Sequence, residues 1–390
     1  MDNNVSRRQK RNSSIELLRL FSMLMIVGFH YVLPNTSNDW LLEQPVSIAK
    51  FVYQFVYMGG GWVGNFIFFT ISVWFLLDRD LSLKGSLRRV WLLERELLFW
   101  SFVLMGILLV ARHEGIYNEG VLWLLPKTVF PLLTGMWWYP TSYALFLIFL
   151  PFAAHGLQNI GRRNHRILVI WVLLIWGLLA LIPFPSMQLD LSDHGVFVFL
   201  YWFIIISYCR WYLSIQSKEA ILLILSGLAV EFVYWGAATV FFEMTGKKPD
   251  FQNFIFDHWK LPTMMIGFGL FVLCCQHPFH SRFVNYLAAS SFGVYLIHYQ
   301  PGIYRTWTDW FPLKEAYMSA HPIPDGALII LTVFSVCLVL DLIRQTLFRV
   351  TIDQHSGKWF EKIYSRIEAK VSGARRARHS RISPTVEEGQ

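Results

Sequence analysis

Three side chains able to bind charge or move protons lie on one stripe of the first apolar segment, "SSIELLRLFSMLMIVGFHYV" at residues 13–32: Glu16, Arg19 and His30. An α-helix turns about 100° per residue, so Arg19 and His30 fall within about 20° of each other in projection, and Glu16 and His30 within about 40°. The rise from Arg19 to His30 is about 16 Å. With the N-terminus inside, Arg19 sits near one interface and His30 beyond the bilayer midplane. Charge in hydrocarbon costs several kcal/mol, so this stripe is expected to face protein or water. Glu16 and Arg19 can pair. A neutral imidazole can take a proton from a hydroxyl, which makes His30 a candidate general base. The plainer reading is that the pair marks the helix entrance and His30 its exit.

Other residues extend the set. Tyr295 and His298 are three apart in a later apolar segment, at a depth comparable to His30, and could line the same cavity or fill a core. Ser72 could donate to an acyl carbonyl or bond back to its own helix. Trp137, Trp138 and Tyr139 suit an interfacial aromatic belt or a platform on which a sugar stacks. Lys84, Arg88, Arg89 and Arg95 could bind phosphates through charge-assisted hydrogen bonds, or simply reflect topology. Arg95 stands between Glu94 and Glu96, where a structural ion pair is equally open. Glu231 is an intramembrane acid, and Asp341 and Arg344 are spaced to pair.

These residues need a membrane scaffold to position them. The 390 residues are 55% hydrophobic, 17% aromatic and only 15% charged. Continuous apolar runs predict an all-α polytopic protein and disfavour an alternating β-barrel. Ten spans are expected, at 17–33, 59–77, 97–111, 139–154, 167–184, 195–213, 220–243, 261–275, 283–303 and 327–348. With both termini cytoplasmic, 26 Lys and Arg fall inside and 8 outside. That bias supports the orientation. The net charge of +8 therefore reports topology rather than nucleic-acid binding. The first segment lacks a small-residue cleavage site and reads as an uncleaved helix. Four cysteines lie in apolar runs without metal-ligand spacing, and no metal is expected. The chain divides into a basic tail at 1–14, a transmembrane domain at 15–350 and a basic tail at 351–390. The last tail is expected to be disordered or to lie on anionic headgroups. The glycines at 59–61 allow close packing or a break.

The layout resembles the bacterial acyltransferase-3 family of integral membrane O-acyltransferases. "IELLRLFSMLMIVGFHY" resembles the family's first helix, "GGWVGNFIFFTISVWFLL" its second, "PLLTGMWWYPTSYALFLIFLPF" its fourth and "SFGVYLIH" its ninth. The resemblance implies transfer of an acyl group, usually acetyl, from cytoplasmic acyl-CoA. The acceptor would be a hydroxyl of an envelope glycan or lipid-linked precursor, at a bacterial plasma (inner) membrane. It makes His30 the catalytic histidine, as general base or transient acyl carrier, with Arg19 positioning or polarising donor groups near it. Two departures stand out. The usual Ser-Gly pair is Ser72-Val73, and the segment after the second helix has Arg88, Arg89 and Arg95 but no Arg-x-x-Arg.

Two further functions fit the composition. A transporter or flippase for an envelope precursor or small polar solute also needs intramembrane charge. A structural anchor leaves the polar stripe of the first helix unexplained.

Overall fold

The computed structural model describes residues 11–35, 38–79, 81–182, 195–247, 257–355 and 357–382, and no strand occurs among them. The first half of the bundle comprises α1 (Ser13–Asn35), α2 (Ile48–Leu76), α3 (Leu83–His113), α4 (Trp138–Asn159), α5 (Gly161–Leu181) and α6 (Val196–Tyr212). The second half comprises α7 (Ser217–Thr245), α8 (Leu261–Gln276), α9 (Arg282–Ala288), α10 (Ser291–His298), α11 (Pro301–Trp310), α12 (Pro322–Val350) and α13 (Lys358–Ile382). Six of them, α1, α2, α4, α5, α7 and α12, are long and apolar enough to cross a membrane. α6 and α8 are apolar but shorter. α3 is long and carries its charge mainly in its first half.

Three expectations need correction. The span expected at 283–303 is not one helix but α9, α10 and the start of α11. Pro301 has no N–H to continue the ladder, and the Gln300 side chain accepts from the Ile303 N–H to start α11 afresh. The basic segment at 78–96, left between the expected spans 59–77 and 97–111, is helical from Leu83, capped by Ser82, whose Oγ accepts from the Gly85 N–H. The last tail, expected to be disordered or to lie on anionic headgroups, is helical over Lys358–Ile382, which corrects only the first of the two readings. Two ion pairs tie its start to α3: Lys84–Glu361 at 2.8 Å and Arg95–Asp353 at 3.2 Å.

α1 packs tightly on α2 because of glycine. A Cβ on Gly61 would collide with Phe29, and one on Gly64 with the Ser22 carbonyl. Of the two readings of the glycine run, close packing is the one found. The contact holds Phe29 and His30 in the bundle interior, where they are 4% and 3% exposed.

A buried ionic cluster locks α3, α10 and α12 together. Arg344 donates to both Asp341 oxygens, at 2.9 and 2.8 Å, and also pairs with Glu96 at 3.0 Å. The Trp100 indole N–H donates to the same Asp341 carboxylate at 2.9 Å. That carboxylate fills the space a Cβ on Gly293 would need, which explains the glycine in "SFGVYLIH". Glu231 also has a partner: the Thr263 hydroxyl donates to it at 2.9 Å, tying α7 to α8.

Removing one member of a buried ion pair costs roughly 3–5 kcal/mol. Asp341→Ala should therefore sharply lower the thermal midpoint in detergent, and Gly293→Ala should do the same by displacing the carboxylate. An unchanged melting curve for both variants would contradict this description of the cluster.

Candidate functional site

Two polar groupings lie along α1, one at each end. At the N-terminal end, Arg19 donates to Glu16 at 2.9 Å, as the spacing predicts. The Arg19 side chain keeps 26% of its surface exposed. Tyr139 and Tyr143 of α4 are its electrostatic neighbours. Tyr143 also lies beside Ser72 and Arg89. The Ser72 hydroxyl donates to the Phe68 carbonyl at 3.0 Å, so it bonds back to its own helix. With its proton committed there, Ser72 offers a lone pair rather than a donor.

The four basic candidates on α3 separate by helical phase. Measured from Lys84, Arg88 falls at about 40° and Arg95 at about 20°, whereas Arg89 falls at about 140°. The first three meet the C-terminal segment: Lys84 binds Glu361, Arg95 binds Asp353, and Arg88 lies over the Gly357 turn. Gly357 has φ +88°, a conformation suited to glycine. Arg89 alone of the four turns toward Tyr143, the neighbour it shares with Arg19.

At the other end of α1, the His30 Nδ1 and His298 Nε2 atoms are 2.8 Å apart. The His298 Nδ1 is 2.6 Å from the Val294 carbonyl oxygen. A carbonyl can only accept, so His298 Nδ1 carries the proton and Nε2 is the lone-pair nitrogen. His298 Nε2 then accepts from His30 Nδ1–H. His30 Nε2 is left as the basic nitrogen. This order of protons follows from hydrogen-bond chemistry. The His30 ring stacks on Tyr299, with centroids 3.9 Å apart and planes at 9°. Tyr304 donates to the His30 carbonyl and Trp307 to the His298 carbonyl, each at 2.9 Å. Both imidazoles are thus fixed by backbone as well as by side chain.

Aromatic side chains connect the two groupings. Tyr139, beside Arg19, has its ring 6.2 Å from that of Tyr295, which in turn lies 6.2 Å from His30. A second row runs from Phe29 through Trp62 to His258, with centroid separations of 4.5 and 4.7 Å. Trp138 stacks over His258 at 6.0 Å and 13°. Trp137 and Tyr139 are buried, so neither forms the interfacial belt considered above. The Trp137 indole N–H instead donates to the Leu296 carbonyl at 3.1 Å and ties α4 to α10.

Sequence reasoning missed Tyr143, Tyr299 and His258. Tyr143 is four residues after Tyr139 and shares its helix face, a signal that was available. His258 stands in the segment before α8, between Asp257 and Lys260, which form an ion pair at 2.6 Å. Burial lowers the Lys260 pKa from its ordinary value, against the raising effect of Asp257. Nothing in the periodicity marks His258.

A family model described as an acyltransferase domain, Acyl_transf_3, matches residues 12–342. The chain belongs to the acyltransferase-3 family. No curated protein and no solved structure matches it. It is therefore a membrane acyltransferase, and the matched region holds both polar groupings. Within this acyltransferase, Arg19 and Arg89 share Tyr143 as an electrostatic neighbour, and His30, His298, Tyr295 and Tyr299 form a ring cluster with Tyr139 beside it. Lys84, Arg88 and Arg95 stand apart on the other face of α3.

The proton order has a direct check. In protein labelled with 15N-histidine, His30 should show a protonated Nδ1 and an unprotonated Nε2. Replacing His298 with Phe should remove the acceptor and mix the two tautomers. A wild-type His30 protonated at Nε2 would reverse the chain of donors described here.

Proposed function

We propose that this acyltransferase moves an acyl group, acetyl in the simplest case, from cytoplasmic acyl-CoA to a hydroxyl of an envelope glycan or its lipid-linked precursor. The chain crosses a bacterial inner membrane ten times, with both termini in the cytoplasm. The six long apolar helices, the two shorter ones and the interrupted α9–α11 segment support that count together with α3. The distribution of Lys and Arg supports the orientation.

One observation carries the catalytic reading: the 2.8 Å contact that makes His298 the acceptor for His30 and leaves Nε2 basic. His30 then serves as general base. The acceptor hydroxyl oxygen attacks the thioester carbonyl as its proton passes to His30 Nε2. The carbon–sulfur bond breaks, and the thiolate takes up the proton. His298 and the stacked Tyr299 hold the imidazole in the productive tautomer and orientation. An acyl-imidazole would form at the same nitrogen, so the alternative route uses the same arrangement.

The donor binds from the other end. Arg19 and Arg89 offer guanidinium groups to the phosphates of coenzyme A near Tyr143. From there a thin phosphopantetheine arm follows the line of Tyr139 and Tyr295 over the roughly 16 Å to His30. Trp138, Tyr139 and Tyr295 present aromatic surface along that line. Family membership favours transfer over transport of a precursor.

Two measurements test this. His30→Ala, confirmed to insert at normal levels, should lose about 10²–10⁴-fold of acyl transfer from labelled acetyl-CoA in membranes. Undiminished transfer would rule out the proposed role. Arg89→Gln should raise KM for acetyl-CoA by about ten-fold, the scale of one charged hydrogen bond. Lys84→Gln and Arg95→Gln should leave that constant nearly unchanged, because their partners lie in the chain itself. If the order is reversed, the donor site is on the wrong face of α3.

A further inference from the structure

α11 has three faces with different tasks. Tyr304 turns toward the His30 backbone. Ile303, Thr306, Trp307 and Trp310, spaced as one helical stripe, form a wall of an apolar groove. Arg305 and Asp309, one turn apart, line a smaller polar pocket.

The groove has a volume of about 850 Å³ and runs between α3, α11 and α12. It opens sideways. Val110, Trp310 and Val336 on its rim are 64%, 61% and 54% exposed. In a bilayer that opening faces the acyl chains. Its floor includes His298, the residue bonded to His30.

The polar pocket, of about 210 Å³, adjoins the groove and shares Ile116, Thr306 and Trp310 with it. It holds two carboxylates, Glu119 and Asp309, against one guanidinium, Arg305. Arg305 is already bound to both oxygens of Glu119, at 2.7 and 2.6 Å. Arg112 stands at the edge, donating to the Glu119 carbonyl at 3.1 Å, and is balanced by Glu114 of the adjoining groove, so the surplus of the whole is negative by one charge. The pocket suits hydroxyl groups, which donate to carboxylates, and disfavours a phosphate.

The geometry points to a binding site for one amphiphile: a glycolipid with an uncharged, hydroxyl-rich headgroup in the polar pocket and its hydrocarbon chain in the groove. This deepens the function proposed above and rests on it. The acceptor is lipid-borne and arrives laterally within the bilayer, on the side of α11 opposite to His30's carbonyl contact. A second copy of the chain would need a broad apolar face. This is a narrow cleft with a polar end, which fits a single lipid.

Gly106 offers a clean test, because it lines the groove and a Cβ added there meets no atom within 4 Å. The protein is reconstituted in phosphatidylethanolamine vesicles that carry a glucosyl diacylglycerol with a photoactivatable diazirine tail. Adducts are mapped by peptide mass spectrometry. Residues 103–116 and 303–310 should be labelled several-fold more than the lipid-facing helix α7. Gly106→Trp should reduce that labelling to the α7 level, and Val336→Trp should do so independently. Both variants should raise KM for the glycolipid acceptor and leave KM for acetyl-CoA unchanged. A phosphatidylglycerol carrying the same tail should show no enrichment.

Uniform labelling would mean annular lipid only and would overturn the proposal. Enrichment that both variants leave intact would overturn it too, as would equal enrichment of the phosphatidylglycerol probe. His30→Ala should keep the labelling while losing transfer. Persisting transfer in that variant would defeat the catalytic reading alone, and lost enrichment in the wild type would defeat this one.

Discussion

The arrangement of α1 and α10 depends on one directional fact: a backbone carbonyl accepts and never donates. The Val294 oxygen fixes the proton on His298, and His298 fixes the proton on His30. In water such an order would be loose, because solvent could serve either nitrogen. Both rings are almost wholly buried, and an unsatisfied polar group in such surroundings costs several kcal/mol. The surrounding contacts follow from that cost. Tyr299 stops the ring from turning, Tyr304 and Trp307 hold the two backbones, and the glycine face of α2 keeps α1 close enough for the rings to meet.

A second rigid point stands in the same bundle. Asp341, Arg344, Glu96 and Trp100 fasten α3 and α12 around Gly293, at the start of the short helix that ends in His298. α10 is thus clasped at its start by the cluster packed against Gly293 and held at its end by hydrogen bonds. α3 contributes twice: one face carries the cations bound by the C-terminal segment, and the other carries Arg89, an electrostatic neighbour of Tyr143, and further along the Glu96 and Trp100 of the ionic cluster.

Much of this was legible in the sequence where the signal is local. The stripe of Glu16, Arg19 and His30 follows from helical phase. The matching depth of His298 follows from counting residues, and the Asp341–Arg344 pair from a spacing of three. What failed was non-local or depended on where a helix begins. Leaving the segment after α2 between two expected spans hid the division among Lys84, Arg88, Arg95 and Arg89, because phase has meaning only within a helix. The partners of those cations, Asp353 and Glu361, are more than 250 residues away in sequence. No pattern along the chain could join Gly293 to Asp341. The same holds for His258, whose aromatic surroundings come from α2, α4 and α6.

The interruption between α10 and α11 imposes a rule on chain length. Pro301 ends the ladder, so His298 falls in the last turn of α10, and its carbonyl is available to the indole of Trp307. Inserting or deleting a single residue between them would shift α11 against α10 and part the Trp307 indole from the His298 carbonyl. Residues 298–301 therefore act as a spacer of fixed count as well as a source of the side chains that hold His30.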